Sequence, residues 1–143
     1  MTAVFDLALW LAGLGHFCLL GASFQVPGRL NWKQDLAKLQ PFNRKLMWTY
    51  GAFTVLTIVA FGVLTLTLHD EFLHGDPAAM GLAAFIAVYW IARIVVDALY
   101  FKHADWPAGR SFVAGHLMLT GLFIALASTY AGLVAWRLLV RGA

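Results

Sequence analysis

The sequence predicts an all-α integral membrane protein, an antiparallel four-helix bundle with a short interfacial helix in its first cytoplasmic loop. Two features of the composition support this class: 62% of the 143 residues are hydrophobic and only 12% are charged, whereas soluble domains carry about 25% charged residues. The length suits one domain, residues 1–143, with room for four spans of roughly 20 residues. Helices are expected because unpaired backbone groups cannot face lipid.

Hydrophobic stretches of sufficient length for a bilayer alternate with short connections. The predicted spans are about 3–25, 46–68, 78–100 and 112–136, and each exceeds the ~18 residues expected of a membrane-crossing helix. Turn-forming residues separate them at Pro27, Gly28, Pro41, Gly75, Pro77, Pro107 and Gly109. The first span is expected to end at Pro27 and Gly28. The third is expected to begin at Asp76, an acidic cap with proline after it.

The charges of the connections predict the orientation. The first connection is basic, with Arg29, Lys33, Lys38, Arg44 and Lys45. The second carries three acidic residues and neither Lys nor Arg, and the third carries Lys102 and Arg110. Basic loops favour the cytoplasm, so the first and third loops are expected inside and both termini outside. Arg137 and Arg141 favour the opposite orientation but are outnumbered.

The first connection also has a local pattern. Asn31 and Gln34, three residues apart, predict a capping box, and Trp32, Leu36 and Leu39 then follow helical spacing. We expect a short helix that lies in the cytoplasmic interface with Trp32 as its anchor. The alternative is a docking surface for a partner subunit.

Small residues in the spans predict close helix contacts. Ala83 with Ala87, and Gly121 with Ala125, are small pairs spaced four apart. The single cysteine, Cys18, lies within the first span, where a free thiol usually fills apolar space. One cysteine excludes an intrachain disulfide.

Polar residues within the spans mark the candidate site. Arg93 and Asp97 lie one turn apart in the third span, and His16 and His116 lie in the first and fourth. Charged side chains at this depth normally face the bundle interior with a partner. Tyr89, Tyr50 and Thr120 lie on the same polar stripes and complete the predicted cluster, in the cytoplasmic half. The alternative for Arg93 and Asp97 is a structural ion pair without further function.

Three functions are compatible with this cluster. The first is a non-catalytic subunit or anchor of a larger membrane assembly, respiratory in character. The second is a single-haem b electron-transfer subunit, with His16 and His116 as iron ligands and Arg93 on a propionate. The third is a small proton-coupled or quinone-binding membrane protein. The expected partners are the lipid bilayer and a membrane protein or a second copy of this chain.

Other classes of function are disfavoured. No serine-hydrolase triad, HExxH, phosphate loop or GxGxxG pattern occurs, so an enzyme is less expected than a binding or structural protein. No basic face with stacking aromatics indicates nucleic-acid binding. The outer connection carries a set of polar residues that suit zinc: His69, Asp70, Glu71, His74 and Asp76. Because His69 and His74 are not at a standard ligand spacing, a solvated acidic loop is expected instead of a metal site.

Several segments resemble a family of small bacterial four-span membrane proteins of unassigned function. They are GASFQVPGRLNWKQDLAKLQPFNRKLMWTYGAFTVLTIVAFGVLTL, WIARIVVDALYF and GHLMLTGLF, which together cover much of the chain. The resemblance implies a polytopic inner-membrane protein and transfers no catalytic residue. Haem-b membrane anchors of respiratory dehydrogenases are also small bundles with axial histidines. With two histidines inside its spans, this chain lacks the ligands for the two-haem version.

Overall fold

The computed structural model describes residues 1–101 and 110–142, with the side chains of 1–101 and 111–140. Within this part of the chain every regular element is helical. The helices are α1 (Thr2–Arg29), α2 (Trp32–Asp35), a 3₁₀ turn (Leu36–Lys38), α3 (Pro41–Thr67), α4 (His69–His74), α5 (Pro77–Tyr100) and α6 (Arg110–Gly142). Lys102, the predicted break at Pro107 and Gly109, and the side chains of Arg110 and Arg141 lie outside the described residues.

Four of these helices, α1, α3, α5 and α6, are long and apolar enough to cross a membrane. The chain is thus supported as an integral membrane protein. Many of the large apolar side chains on these helices point away from the protein interior, among them Val88 at 63% exposure and Met118 at 76%. Such a surface suits lipid, in which exposed apolar groups carry no hydrophobic penalty.

The first long helix does not end at its proline. The prediction that Pro27 and Gly28 end the first span is wrong, because α1 continues through both residues to Arg29. A proline in the last turn removes a single backbone donor, which a long helix tolerates more easily than a central break. The chain leaves the helix after Leu30, where Asn31 takes a left-handed backbone conformation with φ of 52°. Asparagine accepts this conformation more readily than most residues.

The segment after α1 differs from the predicted capping box. Asn31 makes no side-chain bond to the backbone of α2; its amide Nδ2 donates instead to Oε1 of Gln34 over 2.6 Å. Asn31 has a left-handed backbone conformation, unlike the extended one usual at a helix N-cap, and its side chain therefore contacts Gln34 instead of the backbone N–H groups of α2. Trp32 packs on α3, with its ring 5.7 Å from that of Trp48, and only Leu36 of the predicted apolar stripe is buried.

Prolines and an acidic cap begin two of the long helices. α3 starts with Pro41 and α5 with Pro77, a position where the missing backbone donor costs no helical bond. Asp76 caps α5, since its Oδ1 accepts from the backbone N–H of Ala78 at 2.9 Å and of Ala79 at 3.2 Å. The predicted helix start at Asp76 is therefore confirmed.

The predicted outer loop contains a short helix, α4. It ends at Gly75, whose φ of 76° suits glycine, with the N–H groups of Gly75 and Asp76 both bonded to the carbonyl of Glu71. Phe72 on its inner face is fully buried at 0% exposure. α4 thus closes one end of the core.

The long helices share one apolar core. Its most buried members include Leu9 and Leu19 of α1, Phe61 of α3, Ile86 of α5 and Leu126 of α6. α1 and α3 approach closely at Gly62, where an added Cβ would lie 3.1 Å from Cβ of His16 and 3.0 Å from the Phe17 ring.

One of the two predicted small-residue pairs lies in this core. Ala83 and Ala87 are buried, whereas Gly121 and Ala125 are exposed and an added Cβ on Gly121 would meet nothing within 4 Å. The reason is that Phe123, Leu126 and Ala127 define the inner face of α6.

Candidate functional site

Arg93, Asp97 and His116 form one set of contacting polar side chains, called here the Arg93 network. Nη1 of Arg93 donates to Oδ1 of Asp97 over 3.3 Å, within α5. Nε2 of His116, on α6, lies 3.1 Å from the other carboxylate oxygen, Oδ2. The Asp97 side chain is 12% exposed and joins two helices as well as two basic groups. Each of its oxygens has a partner.

The Arg93 guanidinium is also held by aromatic rings. Its Cζ lies 5.3 Å from the centroid of Phe123 and 5.9 Å from that of Phe101. Both distances are within the range of cation–π contact. The side chain nevertheless remains 40% exposed, and a guanidinium has five N–H donors. Within the described residues, Asp97 accepts one of these bonds, which leaves the other donors available for a further acceptor.

His16 occupies a different environment, deep in the core. Its side chain is fully buried, with the Nδ1–H donating to the carbonyl of Ala12 over 2.7 Å. The indole N–H of Trp90 donates to Nε2 over 3.1 Å. An indole can only donate, so Nε2 is the acceptor and the ring is held as the neutral Nδ1–H tautomer.

A second buried hydrogen bond lies beside the first. The hydroxyls of Thr65 on α3 and Tyr130 on α6 are 2.5 Å apart, and Thr65 also donates to the carbonyl of Phe61. The ring of Tyr130 lies 6.1 Å from that of His16. His16, Trp90, Thr65 and Tyr130 form the group called here the His16 core, and they come from all four long helices.

The structure does not bring His16 and His116 to one site. Trp90, the partner of His16, stacks on Phe123 at 5.0 Å, and Phe123 lies under Arg93 of the other set. Both nitrogens of His16 are occupied, so iron ligation would require loss of the Trp90 bond. This geometry gives no support to the haem b alternative.

The remaining residues of the predicted cluster are dispersed. Tyr89 is half-buried and packs its ring against Phe61 and Trp90, toward the core. Tyr50 is 60% exposed on α3 and joins neither set. The hydroxyl oxygen of Thr120 is buried and has no hydrogen-bond partner among the described residues.

A cavity of about 810 Å³ opens beside the Arg93 network, between α1, α5 and α6. It is called here the α1–α5–α6 cavity. Arg93, Asp97 and His116 line it together with Arg29 and Gln25 from the last turns of α1. Much of the remaining wall is apolar and includes Ala22, Val26, Leu119 and Leu122. The cavity therefore combines a polar group of residues with a hydrophobic wall.

The acidic connection between α3 and α5 has a structural contact of its own. Nε2 of His69 lies 2.7 Å from Oδ1 of Asp6 on α1, and its ring lies 4.7 Å from that of Trp10. His74 bonds to the backbone of its own helix, at the carbonyl of Asp70. Among the described residues, no group of three or more His, Cys, Asp or Glu side chains is arranged to hold a metal.

Sequence reasoning missed two parts of the site. Trp90 was not recognised as a partner, although an indole inside a span needs an acceptor for its N–H. Arg29 was counted only as a loop charge, because the first span was expected to end at Pro27.

Comparison with protein-family models, with curated proteins and with solved structures found no match to this chain.

Proposed function

We propose that this protein binds a lipid-like small molecule within the membrane, in the α1–α5–α6 cavity. The observation that carries the proposal is the cavity itself, about 810 Å³ in volume, with the Arg93 network in its wall. Ligand pockets in proteins typically measure about 300–1,000 Å³ and combine a mostly apolar lining with a few polar groups. A molecule with an apolar tail and a polar head suits this lining. The quinone-binding alternative predicted from the sequence belongs to the same class.

The proposal includes an antiparallel arrangement of the spans. Three contacts support it: Phe5 near the start of α1 stacks on Trp136 near the end of α6 at 5.0 Å, Trp90 stacks on Phe123, and Asp97 meets His116. Residue numbers rise along α5 from Trp90 to Asp97, whereas those of their partners on α6 fall from Phe123 to His116. The two helices therefore run in opposite directions under this proposal.

Both termini are proposed outside a bacterial inner membrane, with the cavity toward the cytoplasm and the segment around Trp32 at the interface. Cysteine labelling tests the orientation in a Cys18→Ser background. We expect Asp70→Cys, in α4, to react with a membrane-impermeant maleimide applied from outside. Lys38→Cys, in the exposed 3₁₀ turn, should react only after the membrane is opened. The reverse pattern would invert the topology.

Mass spectrometry of the purified protein tests ligand binding. The full chain is isolated in mild detergent and extracted with organic solvent, and lipids and quinones are quantified per protein molecule. We expect a molecule enriched above the detergent-only control. Ala22→Trp should reduce this enrichment because Ala22 lines the cavity. Val88→Trp is the matched control, because Val88 on α5 is 63% exposed. This variant should retain the enriched molecule. Equal recovery from both variants, with unchanged thermal midpoints, contradicts the proposal.

A second role, as a non-catalytic subunit of a larger assembly, is favoured by the exposed pair Gly121 and Ala125 on α6. Small residues at a helix surface permit another helix to approach closely. Purification in mild detergent should then recover a partner chain or a dimer, and Gly121→Leu should release it. Recovery of the chain alone, as a monomer, argues against this role.

A further inference from the structure

The charges around the α1–α5–α6 cavity are unequal. Among the described residues that line it, Arg29 and Arg93 are permanently cationic, and Asp97 is the single carboxylate. One oxygen of Asp97 accepts from Arg93, and the other lies 3.1 Å from Nε2 of His116. The wall therefore carries an excess of positive charge, which favours an acidic group on the ligand over a neutral one.

The two arginines differ in how they are held. Arg93 is positioned by Asp97 and by the rings of Phe101 and Phe123, and of its N–H donors only the one to Asp97 has an acceptor among the residues that the structure describes. Arg29 is exposed in the last turn of α1, and no ion pair of its guanidinium occurs within the described part of the chain. One fixed and one adjustable guanidinium can together hold a phosphate or carboxylate, for which their donors are suited.

The apolar part of the wall argues for an amphiphile over a free anion. Ala22, Leu119 and Leu122 provide surface that an inorganic ion would leave uncovered. The cavity volume of about 810 Å³ also exceeds what a phosphate ion would fill. Met118, which is 76% exposed, lies at the wall as well, so the cavity is continuous with the lipid-facing surface. A ligand could therefore enter from the bilayer with its chain still in an apolar environment.

We propose that the α1–α5–α6 cavity selects an anionic lipid, whose acidic head group is bound by Arg29 and Arg93. This inference rests on the proposed function and narrows its ligand class. Asp97 already contacts Arg93 and His116, so its carboxylate is not available to a neutral quinone. Such a quinone would also leave the two guanidinium groups without an acidic acceptor. The loss of a charge-assisted hydrogen bond from one arginine should weaken binding by about tenfold.

The single cysteine provides a direct probe of the cavity. Cys18 lines it and is exposed, so an occupant should slow the reaction of its thiol with a maleimide. Purified full-length protein in nonionic detergent is labelled with the maleimide in the presence of one of four compounds. These are phosphatidylglycerol, phosphatidylcholine of the same acyl chains, ubiquinone and inorganic phosphate. We expect protection by phosphatidylglycerol, with weaker or no protection by the other three.

Charge variants distinguish binding by the arginines from a general effect of lipid. Arg29→Gln should raise the phosphatidylglycerol concentration needed for half-protection by about tenfold, and Arg93→Gln by at least as much. Lys38→Gln is the matched control, since Lys38 is exposed and pairs with Asp35 away from the cavity, and it should leave protection unchanged. If Arg93→Gln does not fold, the exposed Arg29→Gln variant still decides the outcome.

The possible results separate the two proposals. Equal protection by phosphatidylcholine or ubiquinone overturns selection of an acidic head group while supporting a ligand cavity. Protection by inorganic phosphate alone assigns the arginines to a free anion and overturns the lipid. Absence of protection by every probe, together with absence of any enriched molecule in the extract, overturns both the anionic lipid and the ligand-binding function.

Discussion

The indole N–H of Trp90 donates to Nε2 of His16 over 3.1 Å, in a core where both side chains are almost completely buried. The bond joins α5 to α1 and gives the histidine its second partner, after the carbonyl of Ala12. A buried imidazole nitrogen without a partner would be costly. Trp90 therefore explains how a histidine can occupy the centre of an apolar bundle as a structural residue.

Removal of the indole donor should destabilise the protein without emptying much of the core. Trp90→Phe keeps an aromatic ring beside Phe123 but leaves Nε2 of His16 unpaired. We expect a loss of about 1–3 kcal/mol in the free energy of unfolding, measured by denaturant unfolding in detergent. Trp48→Phe is the control, because Trp48 is 45% exposed and should change stability little. Equal effects of the two substitutions would show that the hydrogen bond from Trp90 to His16 does not contribute to the free energy of unfolding.

The Thr65–Tyr130 pair should behave as a coupled unit. Thr65→Val removes the hydroxyl that partners the Tyr130 hydroxyl, 2.5 Å away, and should cost about 1–2 kcal/mol. Tyr130→Phe added to Thr65→Val should recover part of that loss, because the second substitution removes the orphaned hydroxyl. Thr67→Val serves as control, since Thr67 is exposed and bonds only to its own helix. Strict additivity in this double-mutant cycle contradicts the coupling.

Asp97 should matter to stability mainly while Arg93 is present. Asp97→Leu removes the carboxylate that accepts from the Arg93 guanidinium, and we expect a loss of about 1–2 kcal/mol, limited by the 40% exposure of Arg93. The double variant Arg93→Leu with Asp97→Leu should regain most of it, because both charges are gone. Thermal midpoints in detergent provide the comparison. A double variant less stable than Asp97→Leu would mean that Arg93 contributes independently of its carboxylate.

Because α1 and α3 are in close contact at Gly62, even one added methyl group at this position should destabilise the protein. Gly62→Ala would bring a Cβ within 3.1 Å of Cβ of His16, and His16 cannot move because both its nitrogens are bonded. We expect a loss of about 1–3 kcal/mol from overpacking. Gly81→Ala is the matched control, since nothing lies within 4 Å of that position. It should be neutral or slightly stabilising through better helix propensity. If Gly62→Ala and Gly81→Ala shift the thermal midpoint equally, the close contact of α1 with α3 does not require glycine at position 62.

The composition and the order of apolar runs along the sequence determined the class of protein and the number of long helices. Runs of apolar residues longer than a bilayer requires leave few alternatives, since backbone groups in lipid must bond within their own helix. Local signals also predicted the start of α5, because the cap on Asp76 involves only its own first turn. The ion pair of Arg93 with Asp97 was predictable for the same reason, as both residues lie on one helix face.

Only the tertiary structure decided which residues share a site. The periodicity of each helix identifies an inner face but does not say which neighbour meets it or at what height. His16 and His116 both lie on inner faces, yet one bonds to Trp90 and the other to Asp97. The position of Arg29 depends on α1 continuing past Pro27, which sequence rules disfavour. The cavity itself is a gap between three helices, and a gap between elements is a property of their packing that no single segment encodes.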